Sequence, residues 1–497
     1  MVTFEELLKY LFSNKFGKYI FYDKYSNRIE FDSINMQKQI LNIYNYIETN
    51  ELIPKENEWV KLIAKDNCST FFVMFALLRA GYNVLLADPR ERKEDNFIFI
   101  IDSDIYYKIN SDHSIDVSKF YEDCEWAKWI GFLSSGTMGY QKEFAYNAET
   151  ILRILSNVEQ KIQTSKIYEI LKSNSDFPNK KILSTLPMYH ILGFLVPFVM
   201  YFLKCDIVFC IYSSINNIVE SIRKENILGV FGVPMVWELI MNISNRKYKN
   251  SINPVRELLG NKVQIILSGG SKTKKELREF YISNGIDFFV GYGMTELGFL
   301  SLSSSDINDI DSEGSVYPMY DYRILDDGDN ILPDGEGELI VDTKGLFSRI
   351  LYRGELKELE LFGGKFFRTG DIFILQDGEL FFKGRKKNII VSKNGENIFI
   401  EDIESKLEIL KQNNILYNVA EHDDVISLYI DNHNNILDDN KIREIIEYIV
   451  DINETLYISS KIRKIIIINE YITITSKGRL AIYELNENSN IRVVKII

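Results

Sequence analysis

The sequence predicts an α/β fold with a large N-terminal domain of parallel-sheet subdomains plus a small β-barrel, then a small α+β C-terminal domain. Three observations predict it. Apolar strand-like runs alternate with helical patterns through the first half, short β-rich stretches separated by Asp-Gly turns follow Gly314, and a mixed texture returns after Gly384-Arg-Lys-Lys. In the first half, Trp59-Val-Lys-Leu-Ile-Ala reads as a strand, Thr70 to Arg79 as a helix with an apolar face, and Gly81 as its stop. Asn83-Val-Leu-Leu-Ala-Asp then returns as a strand, and strand–helix–strand order implies a parallel sheet with helices on its faces. The pattern recurs through Ile182-Leu-Ser-Thr-Leu, Asp206-Ile-Val-Phe-Cys-Ile, Leu228-Gly-Val-Phe-Gly-Val and Val263-Gln-Ile-Ile-Leu-Ser. Tyr322-Arg-Ile-Leu, Glu338-Leu-Ile-Val-Asp and Glu379-Leu-Phe-Phe-Lys belong to the barrel-like part, about 314–383. A helix over Ile400 to Leu410 and strands at Val425 to Ile430 and Ile465 to Ile468 make up the last part. The expected boundary lies near Lys387, dividing the chain into 1–386 and 387–497.

Composition narrows the class. At 497 residues, with 46% hydrophobic and 26% charged side chains, the chain has the makings of a globular protein with a large core. Its 71 acidic against 58 basic residues exclude a general nucleic-acid binder, which carries a basic excess. None of the four cysteines (Cys68, Cys124, Cys205, Cys210) has CxxC spacing, so free, buried thiols in a reducing compartment are expected. The opening Met1-Val-Thr-Phe-Glu-Glu-Leu-Leu-Lys-Tyr lacks the basic flank and apolar core of a secretory leader. Ile191 to Leu203 is apolar but shorter than the roughly 20 residues a spanning helix needs. A soluble, cytoplasmic protein with no membrane span is the expectation.

Four stretches carry chemistry. Phe132-Leu-Ser-Ser-Gly-Thr-Met-Gly-Tyr-Gln-Lys142 follows an apolar strand and joins hydroxyls, the glycines Gly136 and Gly139, and a lysine. Glycines let backbone wrap an anion, and hydroxyls with N–H groups cradle phosphate oxygens. The spacing excludes the G-x-x-x-x-G-K-S/T phosphate loop of ordinary nucleotide triphosphatases. Val290-Gly-Tyr-Gly-Met-Thr-Glu296 offers an aromatic face for a base, Gly293 for close approach, a hydroxyl, and a carboxylate able to hold Mg²⁺ or to sit at the surface. Arg368-Thr-Gly-Asp371 places an acid able to bond ribose hydroxyls, or merely turns the chain. Gly384-Arg385-Lys386-Lys387-Asn388 is a solvated linker or a hinge whose arginine reaches a nucleotide.

Taken in order, these motifs resemble the adenylate-forming superfamily: acyl- and aryl-CoA synthetases, adenylation domains of nonribosomal peptide synthetases, and luciferases. Leu77-Leu-Arg-Ala-Gly81, Leu186-Pro-Met-Tyr-His-Ile-Leu-Gly193, Gly232-Val-Pro234, Ser268-Gly-Gly270 and Gly335-Glu-Gly-Glu338 extend the resemblance along nearly the whole chain. The resemblance implies that Ser134, Ser135, Gly136, Thr137, Gly139 and Lys142 bind the β- and γ-phosphates of ATP. It implies that Gly269, Gly270, Tyr292 and Gly293 line the adenine site, with Thr295 on the α-phosphate and Glu296 on Mg²⁺. Asp371 and Arg385 would hold the ribose, and Lys387 would be the hinge on which the small domain rotates between half-reactions. The activity implied is AMP-forming acid–thiol ligation: a carboxylic acid becomes an acyl-AMP, and the acyl group passes to CoA or to the phosphopantetheine of a separate carrier protein.

Two departures stand out. Met138 and Gln141 replace the family's usual threonine and proline in the first loop. In Thr475-Ser-Lys-Gly-Arg-Leu-Ala, Arg479 stands where the family has its catalytic lysine, leaving open catalysis by Arg479, by Lys477, or impaired adenylation. His190 falls in the segment that borders the acyl pocket in CoA ligases, or is a core histidine. No Phe-Asp-x-Ser setting for an α-ammonium is present, which favours an aryl or medium-length acyl acid over an amino acid. A nucleotide-binding pseudoenzyme, a free-standing amino-acid adenylation enzyme and a luciferase-like oxygenase are the alternatives.

Overall fold

In the computed structural model, apolar runs become strands buried on both faces, the condition that lets a parallel sheet sit between helical layers. The structure describes residues 2–496 apart from 14–16, 24–26, 55, 90–97, 110–114, 123, 135–141, 174–179, 211–213, 307–309, 387–388, 392–396, 423–424, 457–459, 475–479, 481, 483–484 and 487–488.

The larger sheet has fourteen strands. Its parallel centre runs Tyr19–Tyr22, Cys205–Phe209, Lys180–Ser184, Gly229–Gly232, Ile265–Gly269 and Asp287–Met294 in spatial order. Every residue of Cys205–Phe209, Gly229–Gly232 and Ile265–Gly269 is buried. Past Asp287–Met294 the pairing turns antiparallel through Gly298–Leu302, Ser315–Val316, Glu379–Arg385, Phe367–Gln376, Gly335–Asp342 and Asp321–Leu325. The antiparallel, turn-rich stretch after Gly314 is thus a half-barrel continuous with the large sheet.

A second sheet of seven strands is ordered Glu355–Lys357, Arg349–Tyr352, Glu143–Asn147, Trp129–Leu133, Asn83–Ala87, Trp59–Ile63 and Phe99–Asp102. Its first two strands come from the middle of the barrel-like stretch, so the half-barrel lends a hairpin to the other sheet. Between the sheets lie the helices Asn67–Arg79, Ala148–Gln163 and Ile191–Phe202, whose buried side chains form one cluster with both sheets. Asp66 and Asn147 cap the first two, accepting from the amides of Ser69 and Thr150. The apolar run after His190 is the twelve-residue helix Ile191–Phe202. Among the described residues no helix is long and apolar enough to cross a membrane.

The C-terminal part has its own core, built from Ile403, Leu428, Ile449, Ile465 and Ile467 around a four-stranded sheet and the helix Asp439–Glu454. The helix expected over Ile400 to Leu410 is instead two short helices, Ile400–Lys406 and Glu408–Gln412, broken where buried Leu407 turns inward and its amide bonds Glu404. The four cysteines are free; Cys68, Cys205 and Cys210 are buried and Cys124 partly so. Burial pushes the Cys205 and Cys210 thiols up to about 12, so neither is reactive as a thiolate.

Candidate active site

The first motif closes a hairpin. Trp129–Leu133 and Glu143–Asn147 pair antiparallel with Leu133 opposite Glu143. At the mouth of the loop, the Ser134 amide donates to the Lys142 carbonyl at 2.8 Å, and the Lys142 amide donates to Ser134 Oγ at 3.1 Å. Lys142 is exposed at the end of this clasp. Ser135, Gly136, Thr137 and Gly139 lie outside the described residues, as do Lys387, Lys477 and Arg479.

The second motif is the tight turn between Asp287–Met294 and Gly298–Leu302, at the carboxyl end of the parallel strands where open α/β sheets place ligands. Gly293 is required there: a Cβ would lie 2.4 Å from the Gly298 carbonyl oxygen. On the adjacent strand, Gly269 sits opposite Gly291, and Gly270 turns the chain at φ +87°, which disfavours any side chain. Thr295 and Glu296 form the crown of the turn.

The third and fourth motifs meet in one ion pair. Asp371 and Arg385 are cross-strand partners, and Arg385 Nε lies 2.9 Å from Asp371 Oδ1. Tyr292 Oη donates to Asp371 Oδ2 at 2.9 Å. Asp371 is 2% exposed whereas Arg385 is 42% exposed, so the acid is buried and the arginine reaches solvent. Burial, then the charge of Asp371 and its hydrogen bond, raise the Tyr292 hydroxyl well above its ordinary pKa. The phenol is therefore a fixed donor.

Glu296 joins these groups electrostatically. Burial raises its carboxyl pKa, Arg385 and Lys142 act to lower it, and Asp371 adds to the rise. Lys142, Glu296, Asp371, Arg385 and Tyr292 therefore form one neighbourhood. Mg²⁺ takes oxygen ligands and keeps most of its waters, so one carboxylate beside substrate phosphates suits it. Glu296 fits that role, and among the described residues no cluster of three or more His, Cys, Asp or Glu could hold a metal ion on protein ligands alone.

An apolar slot of about 30 Å³ opens beside Gly269 and Gly291 and runs between Ala148–Gln163 and Ile191–Phe202 toward Tyr317. Its walls include Leu192, Val196, Val199 and Met200. His190 is exposed at the start of that helix, two residues before Leu192, with its ring 4.6 Å from Tyr189.

Sequence reasoning quoted Glu338 but gave it no role, and it holds two of the motifs together. Glu338, 4% exposed, accepts from Arg368 Nη2 at 2.6 Å, from the Gly370 amide at 3.1 Å and from Lys386 Nζ at 3.2 Å. It ties the Thr-Gly-Asp turn to the basic segment before Lys387. Burial raises its pKa, but the hydrogen bonds of Arg368 and Lys386 outweigh that and hold it below the ordinary carboxylate value. Its place in Gly335-Glu-Gly-Glu338, a stretch already part of the resemblance, was the available signal.

A family model described as AMP-binding enzyme matches residues 132–351. The long-chain-fatty-acid–CoA ligase FadD15 of Mycobacterium bovis is 25% identical over 295 residues, covering 50% of this chain and 47% of that protein. Feruloyl-CoA synthase of Amycolatopsis sp is 28% identical over 196 residues, covering 38% of each. The match with FadD15 thus spans about half the length of that relative. O-succinylbenzoate coenzyme A synthetase (MenE) from Bacillus subtilis, solved in complex with AMP, has a TM-score of 0.70 at 16% identity and covers 97% of this chain and 98% of that one.

Proposed function

From the match of residues 132–351 to an AMP-binding enzyme model, we propose an adenylate-forming enzyme that activates a carboxylic acid with ATP and passes the acyl group to a thiol. The observation that carries this reading is the convergence of Lys142, Glu296, Asp371 and Arg385 beside an apolar slot at the carboxyl end of the parallel strands. The acid's carboxylate would attack the α-phosphorus of ATP in line, expelling pyrophosphate and leaving an acyl-AMP. Negative charge grows on the phosphoryl oxygens, and cations already in place offset it at little reorganisation cost. Lys142 and the Ser134–Lys142 loop would act on the β- and γ-phosphates, Thr295 on the α-phosphate, Asp371 and Arg385 on the ribose, and Tyr292 with Gly269, Gly270 and Gly293 on the adenine. Mg²⁺ held by Glu296 would supply further charge neutralisation. AMP is then the leaving group for thiol attack, and no protein nucleophile is required.

The acid we favour is an unbranched aliphatic one. The slot walls offer no charged side chain, and their serine hydroxyls are engaged elsewhere: Ser301 donates to the Glu313 carbonyl at 2.7 Å, and Ser268 lies 3.3 Å from the Thr273 hydroxyl. An ammonium would be buried there without a charged partner. The slot is far narrower than the roughly 300 Å³ or more of a drug-sized site, so a chain enters by displacing Leu192 and Met200 rotamers, whereas a ring must displace more. CoA is the favoured acceptor because the curated relatives described above are a CoA ligase and a CoA synthase. A carrier protein is the other. Residues 387–497 are proposed as the domain that turns about Lys387 between half-reactions.

The second reading, a nucleotide-binding pseudoenzyme, rests on Arg479. Carboxylate-dependent ATP–pyrophosphate exchange decides between them, across straight-chain alkanoic acids, aryl acids and amino acids, with Arg479→Lys alongside. Exchange confined to the alkanoic acids supports the ligase. Exchange only with Arg479→Lys identifies a degenerate last motif, and silence from both proteins with ATP binding retained leaves the pseudoenzyme.

A further inference from the structure

Two buried hydroxyls from the seven-stranded sheet reach across to the turn that carries Thr295 and Glu296. Tyr146 Oη donates to the Thr295 carbonyl at 2.7 Å. Ser348 donates twice to the Glu296 carbonyl, from its amide at 3.2 Å and from Oγ at 2.9 Å. Tyr146 is fully buried and Ser348 is 1% exposed, so water cannot replace these donors. The Tyr146 oxygen also interacts with Ser348 and with the Gly298 amide at the far side of the same turn. Burial and the neighbouring Glu296 charge keep the phenol protonated.

The origin of these residues matters as much as their bonds. Tyr146 lies on Glu143–Asn147, the strand that leaves the Ser134–Lys142 loop. Ser348 immediately precedes Arg349–Tyr352, which pairs with that strand through Arg349–Ala145, Ile350–Phe144 and Leu351–Glu143. Both donors therefore belong to the strand pair that follows Lys142, while both acceptors belong to the turn on the other sheet.

Resting on the adenylation reading above, we propose that Tyr146 and Ser348 are positioning residues that register the Thr295–Glu296 turn against Lys142 and its clasp with Ser134. The α-phosphate hydroxyl and the metal carboxylate then hold one fixed offset from the lysine that acts on the outer phosphates. In-line transfer is sensitive to such offsets, because a misplacement of 1 Å can cost about 100-fold.

Tyr146→Phe deletes one donor and keeps the ring. Its control is Tyr281→Phe, which deletes an equally buried phenol donating at 2.8 Å to the Trp237 carbonyl, outside the site. Three quantities are read on the full chain: kcat and KM in pyrophosphate exchange, Mn²⁺ affinity in the presence of ATP by paramagnetic resonance, and the thermal midpoint. Tyr146→Phe should lower kcat about tenfold or more with little change in KM for the acid, and weaken Mn²⁺ binding about tenfold. Tyr281→Phe should match its thermal midpoint loss and leave the other two quantities alone, and adding Ser348→Ala to Tyr146→Phe should deepen the kcat loss. If Tyr146→Phe behaves as Tyr281→Phe in all three, the proposal is wrong. Should wild type show no exchange yet bind Mn²⁺ with ATP, the adenylation reading falls, and the difference in Mn²⁺ affinity still decides the positioning role. A wild type that does neither overturns both.

Discussion

Glu225 shows what a single buried charge does for this fold. Its carboxylate accepts from Tyr22 Oη at 2.7 Å, Arg28 Nε at 2.6 Å and Lys181 Nζ at 2.7 Å while only 3% exposed. Burial pushes its pKa up, and the bonds from Arg28, Lys181 and Tyr22 more than reverse this, taking it from 4.5 to about 2. A depressed folded-state pKa stabilises at pH above the unfolded value and loses that contribution as pH falls through the folded one. The contribution is at most about 3 kcal/mol, lost between pH 4.5 and 2. Denaturant midpoints of wild type and Glu225→Gln should therefore differ at neutral pH and converge through that window; a gap independent of pH contradicts the assignment. In the cleft, Asp371→Asn removes the acceptor shared by Tyr292 and Arg385 and should weaken ATP binding by about 10- to 100-fold in titration calorimetry. Unchanged affinity would remove Asp371 from the nucleotide site. Asp371, Tyr292 and Glu296 were picked out by the motifs' resemblance to a family, and the structure brings them together through the Tyr292–Asp371 hydrogen bond and the charges around Glu296. Tyr146 and Ser348 were not, since they donate to main-chain carbonyls, which leave no signature in the identity of the acceptor.

At the scale of elements, the buried strands read directly from their apolar runs, as with Asn83–Ala87 and Cys205–Phe209. What the sequence concealed is pairing at long range. Nothing local marks Arg349–Tyr352 as a partner of Glu143–Asn147, because register across some 200 residues is decided by the fit of the two sheets. The broken helix after Ile400 has the same cause: Leu407 continues an apolar periodicity, but the core it fills is better reached by a turn than by another helical residue. The hairpin at Tyr292–Leu302 offers a test of element geometry. Gly293→Ala puts a Cβ against the Gly298 carbonyl, so the turn must open and carry Thr295 and Glu296 with it. Catalysis should fall at least about tenfold while the fold survives, seen as an unchanged far-ultraviolet dichroism spectrum beside lost exchange activity. Full activity would show that the turn tolerates opening.

For the molecule as a whole, two sheets enclose a helical layer, and the candidate site lies where the carboxyl ends of the parallel strands meet the hairpin that the half-barrel lends to the second sheet. That arrangement brings the Ser134–Lys142 clasp, the turn of Thr295 and Glu296, and the Asp371–Arg385 pair together from three structural units. In the proposed adenylation, a carboxylate oxygen is delivered to the α-phosphorus of ATP. Supplying an alkanoic acid labelled with ¹⁸O in both carboxyl oxygens, with ATP and CoA, tests it by the mass of the nucleotide product. Adenylation of this kind yields AMP carrying one ¹⁸O and unlabelled pyrophosphate. Label in inorganic phosphate with ADP as the nucleotide product, or thioester formed with unlabelled AMP, would contradict it.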